Sequence, residues 1–128
     1  MARILLLETD KLLAQNTKRM LESAGHAVDW QVDPQEAVHS IDAEAADVII
    51  MDIILADRSG IEFLYELRSY PDWRYLPVIL HSSVPPREIY NCAAGLEQLD
   101  IKAYHYKPST LLSELIGSVE ACLQPVSA

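Results

Sequence analysis

The sequence predicts an α/β fold, a doubly wound five-stranded parallel sheet with helices on both faces. Two observations carry that prediction. Short aliphatic runs of four or five residues recur along the chain without the alternation of a half-solvated strand, and such runs read as strands buried on both faces. Between them the apolar residues recur at helical spacing, so strand and helix alternate, and each right-handed crossover lays its helix on the sheet. A length of 128 residues fits one domain of common size. That domain is expected over residues 1–123, with 124–128 as a C-terminal tail.

Ile4 to Leu7 is the first aliphatic run, and it ends in Glu8, Thr9 and Asp10. A helix over about 11–24 follows, with Leu13, Met20, Leu21 and Ala24 inward and Gly25 as its stop signal. A short second strand is expected at 26–30. Pro34 then opens a second helix, whose inner face carries Ala37, Val38 and Ile41. Asp47 to Asp52 repeats the design of the first strand, again ending in a carboxylate. Ile61, Leu64, Tyr65 and Leu67 mark a third helix that Pro71 closes. Pro77 introduces a fourth strand at 78–82, ending in hydroxyls, and a fourth helix is expected over about 86–99. The fifth strand, 102–106, runs into Lys107 and Pro108. Leu111, Leu112, Leu115, Ile116, Val119, Cys122 and Leu123 form the wide apolar stripe of a fifth helix.

Composition removes several functions. Against 10 basic residues stand 19 acidic ones, a formal charge of −9, which is wrong for a phosphate backbone as partner, so no nucleic acid is expected. Cys92 and Cys122 lie far apart with no paired Cys/His spacing and read as reduced core thiols. The histidines at 26, 39, 81 and 105 are scattered and read as structural. The amino terminus holds only four consecutive aliphatic residues, too few for a signal-peptide core or a bilayer span. A cytoplasmic protein with no membrane partner is expected.

In open parallel sheets ligands bind beyond the carboxyl ends of the strands, where the strand order reverses. Here those ends carry Glu8, Thr9, Asp10, Asp52, Ser82 and Lys107. The carboxylates suit a hard dication such as Mg²⁺. A lysine and a hydroxyl beside them suit phosphoryl oxygens, and the natural chemistry is phosphoryl transfer to a carboxylate. A structural reading stays open: Glu8 and Asp10 cap the first helix, Asp52 caps the loop after the third strand, and Lys107 neutralises them. A flavin or nucleotide site is disfavoured, since acids after the first strand would repel its phosphates.

These residues resemble the receiver domain of bacterial two-component response regulators, a flavodoxin-like fold. Ala46 to Gly60 is similar to that family's phosphoacceptor segment, Leu5 to Asp10 to its acidic segment, Pro77 to Ser83 to its switch strand, and Tyr104 to Pro108 to its lysine motif. The resemblance runs the length of the chain in the right order. It implies that Asp52 accepts a phosphoryl group from a sensor histidine kinase or phosphotransfer protein, that Lys107 holds the phosphoryl oxygens, and that Ser82 is the switch hydroxyl. Tyr104 falls at the rotating aromatic, coupled to a downstream protein partner on the face made by the fourth helix, fifth strand and fifth helix. Glu8, Asp52 and the backbone carbonyl of Ile54 are the implied Mg²⁺ ligands, with Asp10 as a further candidate. Such a domain is no enzyme beyond catalysing its own phosphorylation and dephosphorylation.

The sequence departs from the family pattern at several places. Thr9 stands where an Asp normally touches the metal, and a neutral hydroxyl should weaken Mg²⁺ binding. Asp10 is adjacent, but one step along an extended chain points a side chain the other way. Ala56 replaces a usual Pro, Ser109 a usual aromatic, and the interval from Ser82 to Lys107 is longer than is common. Asp100 falls where a Gly usually ends the fourth helix, and Asp tolerates left-handed geometry better than most residues. Pro108 fits a position usually preceded by a cis peptide. The alternative expectation is a pseudo-receiver, a phosphorylation-independent interaction module whose metal site Thr9 has disabled.

Overall fold

Three aliphatic runs buried on both sides form the centre of the sheet, and two partly exposed, more polar strands form its edges. In the computed structural model, which describes residues 2–55, 59–88 and 99–123, the strands are β1 (Arg3–Leu7), β2 (Ala27–Gln31), β3 (Val48–Met51), β4 (Val78–Ser82) and β5 (Ile101–Tyr106). Every pairing is parallel, and the order is β2-β1-β3-β4-β5. The chain moves outward from β1 to β2 and then crosses back to β3, so the order reverses between β1 and β3.

Alternate residues of each strand face opposite layers. Ile4, Leu6, Ile50 and Ile79 pack against α1 (Lys11–Ser23) and the C-terminal helix (Leu112–Leu123), meeting Ala14, Leu21, Leu115 and Val119. Leu5, Leu7, Ile49, Met51 and Leu80 pack on the other face against α2 (Pro34–Ala43) and α3 (Gly60–Ser69), meeting Ala37, Ile41, Phe63 and Leu67. Asp10, Asp33 and Ser59 cap α1, α2 and α3 in turn, each side chain accepting a first-turn N–H. Gly25, at φ +95°, turns the chain out of α1 as its position after the helix requires.

The expected elements are present wherever residues are described, with instructive shifts. The inner face of α1 is Ala14, Thr17 and Leu21, while Leu13 and Met20 are half-buried and Ala24 is exposed at the C-cap. In α3 Phe63 occupies the core, whereas Tyr65 faces outward. Leu111 lies before the last helix and is exposed. A 3₁₀ turn, Pro71–Trp73, follows α3. Asp100 has φ +53°, the left-handed conformation its position implied. The Lys107–Pro108 peptide is trans rather than cis, feeding the chain directly into a 3₁₀ turn at Lys107–Ser109. Most of the expected fourth helix, Cys92, Ala56 and the 124–128 tail lie outside the described residues.

Candidate functional site

Parallel pairing of β1 with β3 sets Leu7 opposite Met51. The next residues, Glu8 and Asp52, therefore emerge side by side at the carboxyl edge, and both are buried, at 2% and 5% exposure. Two carboxylates enclosed together repel one another, and Lys107 answers both. Its Nζ lies 2.7 Å from Asp52 Oδ2 and 2.9 Å from Glu8 Oε1. The remaining acceptors are also used: Asp52 Oδ1 accepts from the backbone N–H of Ile53 at 2.7 Å and of Ile54 at 3.2 Å, and Glu8 Oε2 from that of Asp10 at 3.1 Å.

Burial pushes the Glu8 carboxyl above its usual range, and the hydrogen bond from Lys107 offsets only part of that. For Lys107 burial opposes the charge, but hydrogen bonds to Asp52 and Glu8 and their negative charges outweigh it, so the ammonium holds its proton more tightly than a free lysine. The site thus keeps one firm positive charge between two acids.

Gly60 approaches the backbone that carries Asp52. A Cβ there would lie 2.7 Å from the Asp52 carbonyl oxygen and from Ile53 Cα, and the Gly60 N–H donates to the Ile53 carbonyl at 2.6 Å. Only glycine permits this contact.

Ser82, fully buried at the end of β4, accepts from the Val84 N–H at 3.1 Å. Tyr104, half-buried on β5, donates its hydroxyl to the Val84 carbonyl. One residue of the loop after β4 therefore links the two side chains to which the resemblance gives switch roles.

Thr9 and Asp10 are exposed, and Asp10 Oδ1 accepts from the Leu13 N–H at 3.1 Å, capping α1. The structural reading thus describes Asp10, but Glu8 points into the site. Among the described residues no three His, Cys, Asp or Glu side chains converge on one point. Glu8 and Asp52, side by side, are oxygen donors of the kind Mg²⁺ uses when waters and a phosphate complete its shell.

Two neighbours were not marked out by the sequence. Trp30 Nε1 donates to the Glu8 carbonyl at 2.9 Å, fixing the acidic turn from the edge strand β2. His81, one residue before Ser82 and opposite His105, is only 3% exposed. Burial, then the charge of Lys107 and the proximity of His105, lower its pKa to about 4, so its ring is neutral. A polar residue inside an aliphatic strand was the available signal for His81; an indole reaching a backbone carbonyl has none.

Comparison with known proteins agrees with this geometry. The family model described as a response regulator receiver domain matches residues 4–112. The response regulator MprA of Mycolicibacterium vanbaalenii is 29% identical over 126 residues, covering 95% of this chain and 50% of its own length. The transcriptional regulatory protein PdtaR of Mycobacterium tuberculosis is 28% identical over 119 residues, 92% of this chain and 55% of that protein. The chain spans about half the length of these curated relatives. Among solved structures, the receiver domain of the Francisella response regulator 1452 is 30% identical with a TM-score of 0.81, covering 95% of this chain and 96% of that one. The chemotaxis response regulator CheY4 of Vibrio cholerae, 20% identical, shares the fold at a TM-score of 0.83 over 95% of this chain and 98% of its own. No described helix is long and apolar enough to cross a membrane. With its motifs in order along the chain and their side chains gathered at one sheet edge, this chain belongs to the response regulator receiver domain family.

Proposed function

We propose that this domain is a phosphorylation switch of the cytoplasm, comprising residues 1–123 with 124–128 as a tail, charged by a histidine kinase or phosphotransfer protein. The carrying observation is Lys107 Nζ held between Asp52 and Glu8 at 2.7 and 2.9 Å. An Asp52 carboxylate oxygen attacks the phosphorus of a phosphohistidine. The P–N bond breaks as the new P–O bond forms, and the imidazole leaves with the bonding pair and takes up a proton. Lys107, already an ammonium beside the attacking carboxylate, stabilises the charge on the phosphoryl oxygens. Glu8, Asp52 and the Ile54 carbonyl are the groups that would hold Mg²⁺, which when bound neutralises phosphoryl charge. Ser82 then donates its hydroxyl to a phosphoryl oxygen, which draws on the loop at Val84 whose N–H it accepts, and Tyr104, held by the same residue, repositions. The altered face of β5 and the C-terminal helix meets a downstream protein. The domain catalyses nothing beyond its own modification and its reversal.

Incubation with a small acyl phosphate and Mg²⁺, followed by intact mass measurement, tests this. The wild type is expected to gain one phosphoryl group, and Asp52→Asn to gain none while unfolding as cooperatively as before. Labelling of Asp52→Asn at the wild-type stoichiometry would overturn the assignment.

The second reading, a pseudo-receiver, draws support from exposed Thr9 and from the commitment of Asp10 to the α1 cap. Thr9→Asp should tighten Mg²⁺ binding by roughly tenfold, the effect of one added carboxylate near a dication. Trp30 fluorescence reads the titration, because its indole touches the Glu8 carbonyl. If the wild type takes neither Mg²⁺ nor phosphate and Thr9→Asp takes both, the pseudo-receiver reading is the right one.

A further inference from the structure

At the edge of the sheet opposite Asp52, two cavities of about 350 and 230 Å³ adjoin, sharing Asp42, Asp72 and Trp73 in their walls. They make one groove between the end of α2 and the turn after α3. Its floor is apolar, from Val38 and Ile41 of α2 to Leu76 ahead of β4. One wall is aromatic: the Tyr70 and Trp73 rings meet edge to face at 4.9 Å and 63°. No lysine, arginine or histidine lines it among the described residues.

The guanidinium of Arg68 lies behind the groove, where it is bound to the Trp73 and Leu76 carbonyls, and among the described residues it forms no pair with the carboxylates in the walls. Nearby Glu44 and Asp29 are both paired with Arg3. Asp42 and Asp72 make no ion pair or side-chain hydrogen bond among the described residues. Asp42 also stands in the last turn of α2, which holds no basic residue, so its carboxylate adds to the negative end of the helix dipole. Two carboxylates and a helix carboxyl end therefore converge on a cleft with an aromatic wall and a greasy floor.

We propose that this groove receives an arginine side chain from a basic segment of a partner protein. The floor would cover its methylenes, the Trp73 ring would take the cation on its face, and Asp42 with Asp72 would accept the guanidinium N–H groups. Arginine suits the site better than lysine because its planar fork can stack on a ring and donate to two carboxylates at once. Because the groove lies at the amino ends of β3 and β4, it is a docking point independent of the phosphorylation site.

The test is a titration of the ¹⁵N-labelled chain with a capped tetra-arginine peptide at physiological salt, followed by backbone and indole N–H shifts. Saturable shifts confined to residues 38–46 and 70–76 and to the Trp73 indole are expected, with a dissociation constant below about 1 mM. The Asp42→Asn, Asp72→Asn double variant, which alters only exposed side chains, should unfold at the wild-type midpoint and bind at least about fivefold more weakly. Asp52→Asn should bind as the wild type does. A tetra-lysine peptide that shifts the same residues with equal affinity would overturn the arginine assignment. Shifts scattered over the acidic surface, or unchanged in the double variant, would overturn the site itself.

Discussion

Replacement of Arg68 by methionine is expected to destabilise the domain by about 2–4 kcal/mol, lowering its thermal midpoint by roughly 10 °C. Arg68, near the end of α3, directs its guanidinium at backbone carbonyls on two sides. Nε donates to Leu99 O at 2.8 Å, Nη1 to Trp73 O at 3.0 Å and to Leu76 O at 2.8 Å, and Nη2 to Asp100 O at 3.3 Å. One side chain therefore fastens the turn after α3 to the start of β5, where Asp100 already takes a left-handed conformation. Methionine matches the stem but leaves four acceptors without their charged donor. A lysine can reach only one or two of them, so Arg68→Lys should recover less than half of the loss. Chemical denaturation of the three proteins checks this. Full recovery by lysine would show that charge, rather than the fork of donors, holds the segments together.

That staple also marks where the sequence stops being informative. The central strands were legible because both faces of each are covered, which leaves unbroken aliphatic runs such as Val48 to Met51, and because each run ends abruptly in a polar residue. Glu8, Asp52, Ser82 and Lys107 could be gathered on one edge from those endings and the rule that parallel strands share a direction. Asp100 was legible through the resemblance, which places a Gly there, and its φ of +53° is a conformation that few other side chains tolerate.

Contacts made to backbone carbonyls were not legible. Arg68, Trp30 and Tyr104 all donate to a main-chain oxygen, and every residue has one, so no pairing of residue types marks the partner. In α3 the helical spacing of Ile61, Leu64, Tyr65 and Leu67 includes Tyr65, which is exposed, and omits Phe63, which is in the core. The two stand about 200° apart on the helix, one on either side of Leu64, and Leu64 by itself does not say towards which of them the inner stripe extends. A structural reading set Glu8 and Asp10 together as caps of α1, but only Asp10 lies beyond the strand, where its carboxylate meets the free N–H groups opening α1, while Glu8 still follows β1 into the sheet edge.

The stability of the domain should fall by about 3 kcal/mol between pH 7 and pH 4 on account of His81 alone. The ring is nearly inaccessible, and burial, then the Lys107 ammonium, then His105 disfavour its charged form, with Asp52 acting weakly the other way; together they bring its pKa from 6.5 to about 4. Because the folded pKa lies below the unfolded one, the unfolded chain binds the extra proton first as pH falls. The neutral ring's contribution is present above pH 6.5 and is lost progressively as pH falls towards about 4. His105, lowered chiefly by burial although Glu114 opposes it, adds in the same direction, and its ring already shares a 2.7 Å hydrogen bond with Ser118. Glu8 works oppositely: its raised pKa favours the folded state when protonated, so its contribution weakens as pH rises through that value. A single stability curve therefore mixes opposing slopes, and a difference curve separates them. His81→Leu keeps an apolar group of similar bulk in β4 and removes the titration, so its stability relative to wild type should rise by about 3 kcal/mol as pH is lowered from 7 to 4. Denaturant unfolding of both proteins across that range decides the matter, and parallel curves would mean that the His81 ring accepts its proton in the folded domain as readily as in the unfolded chain.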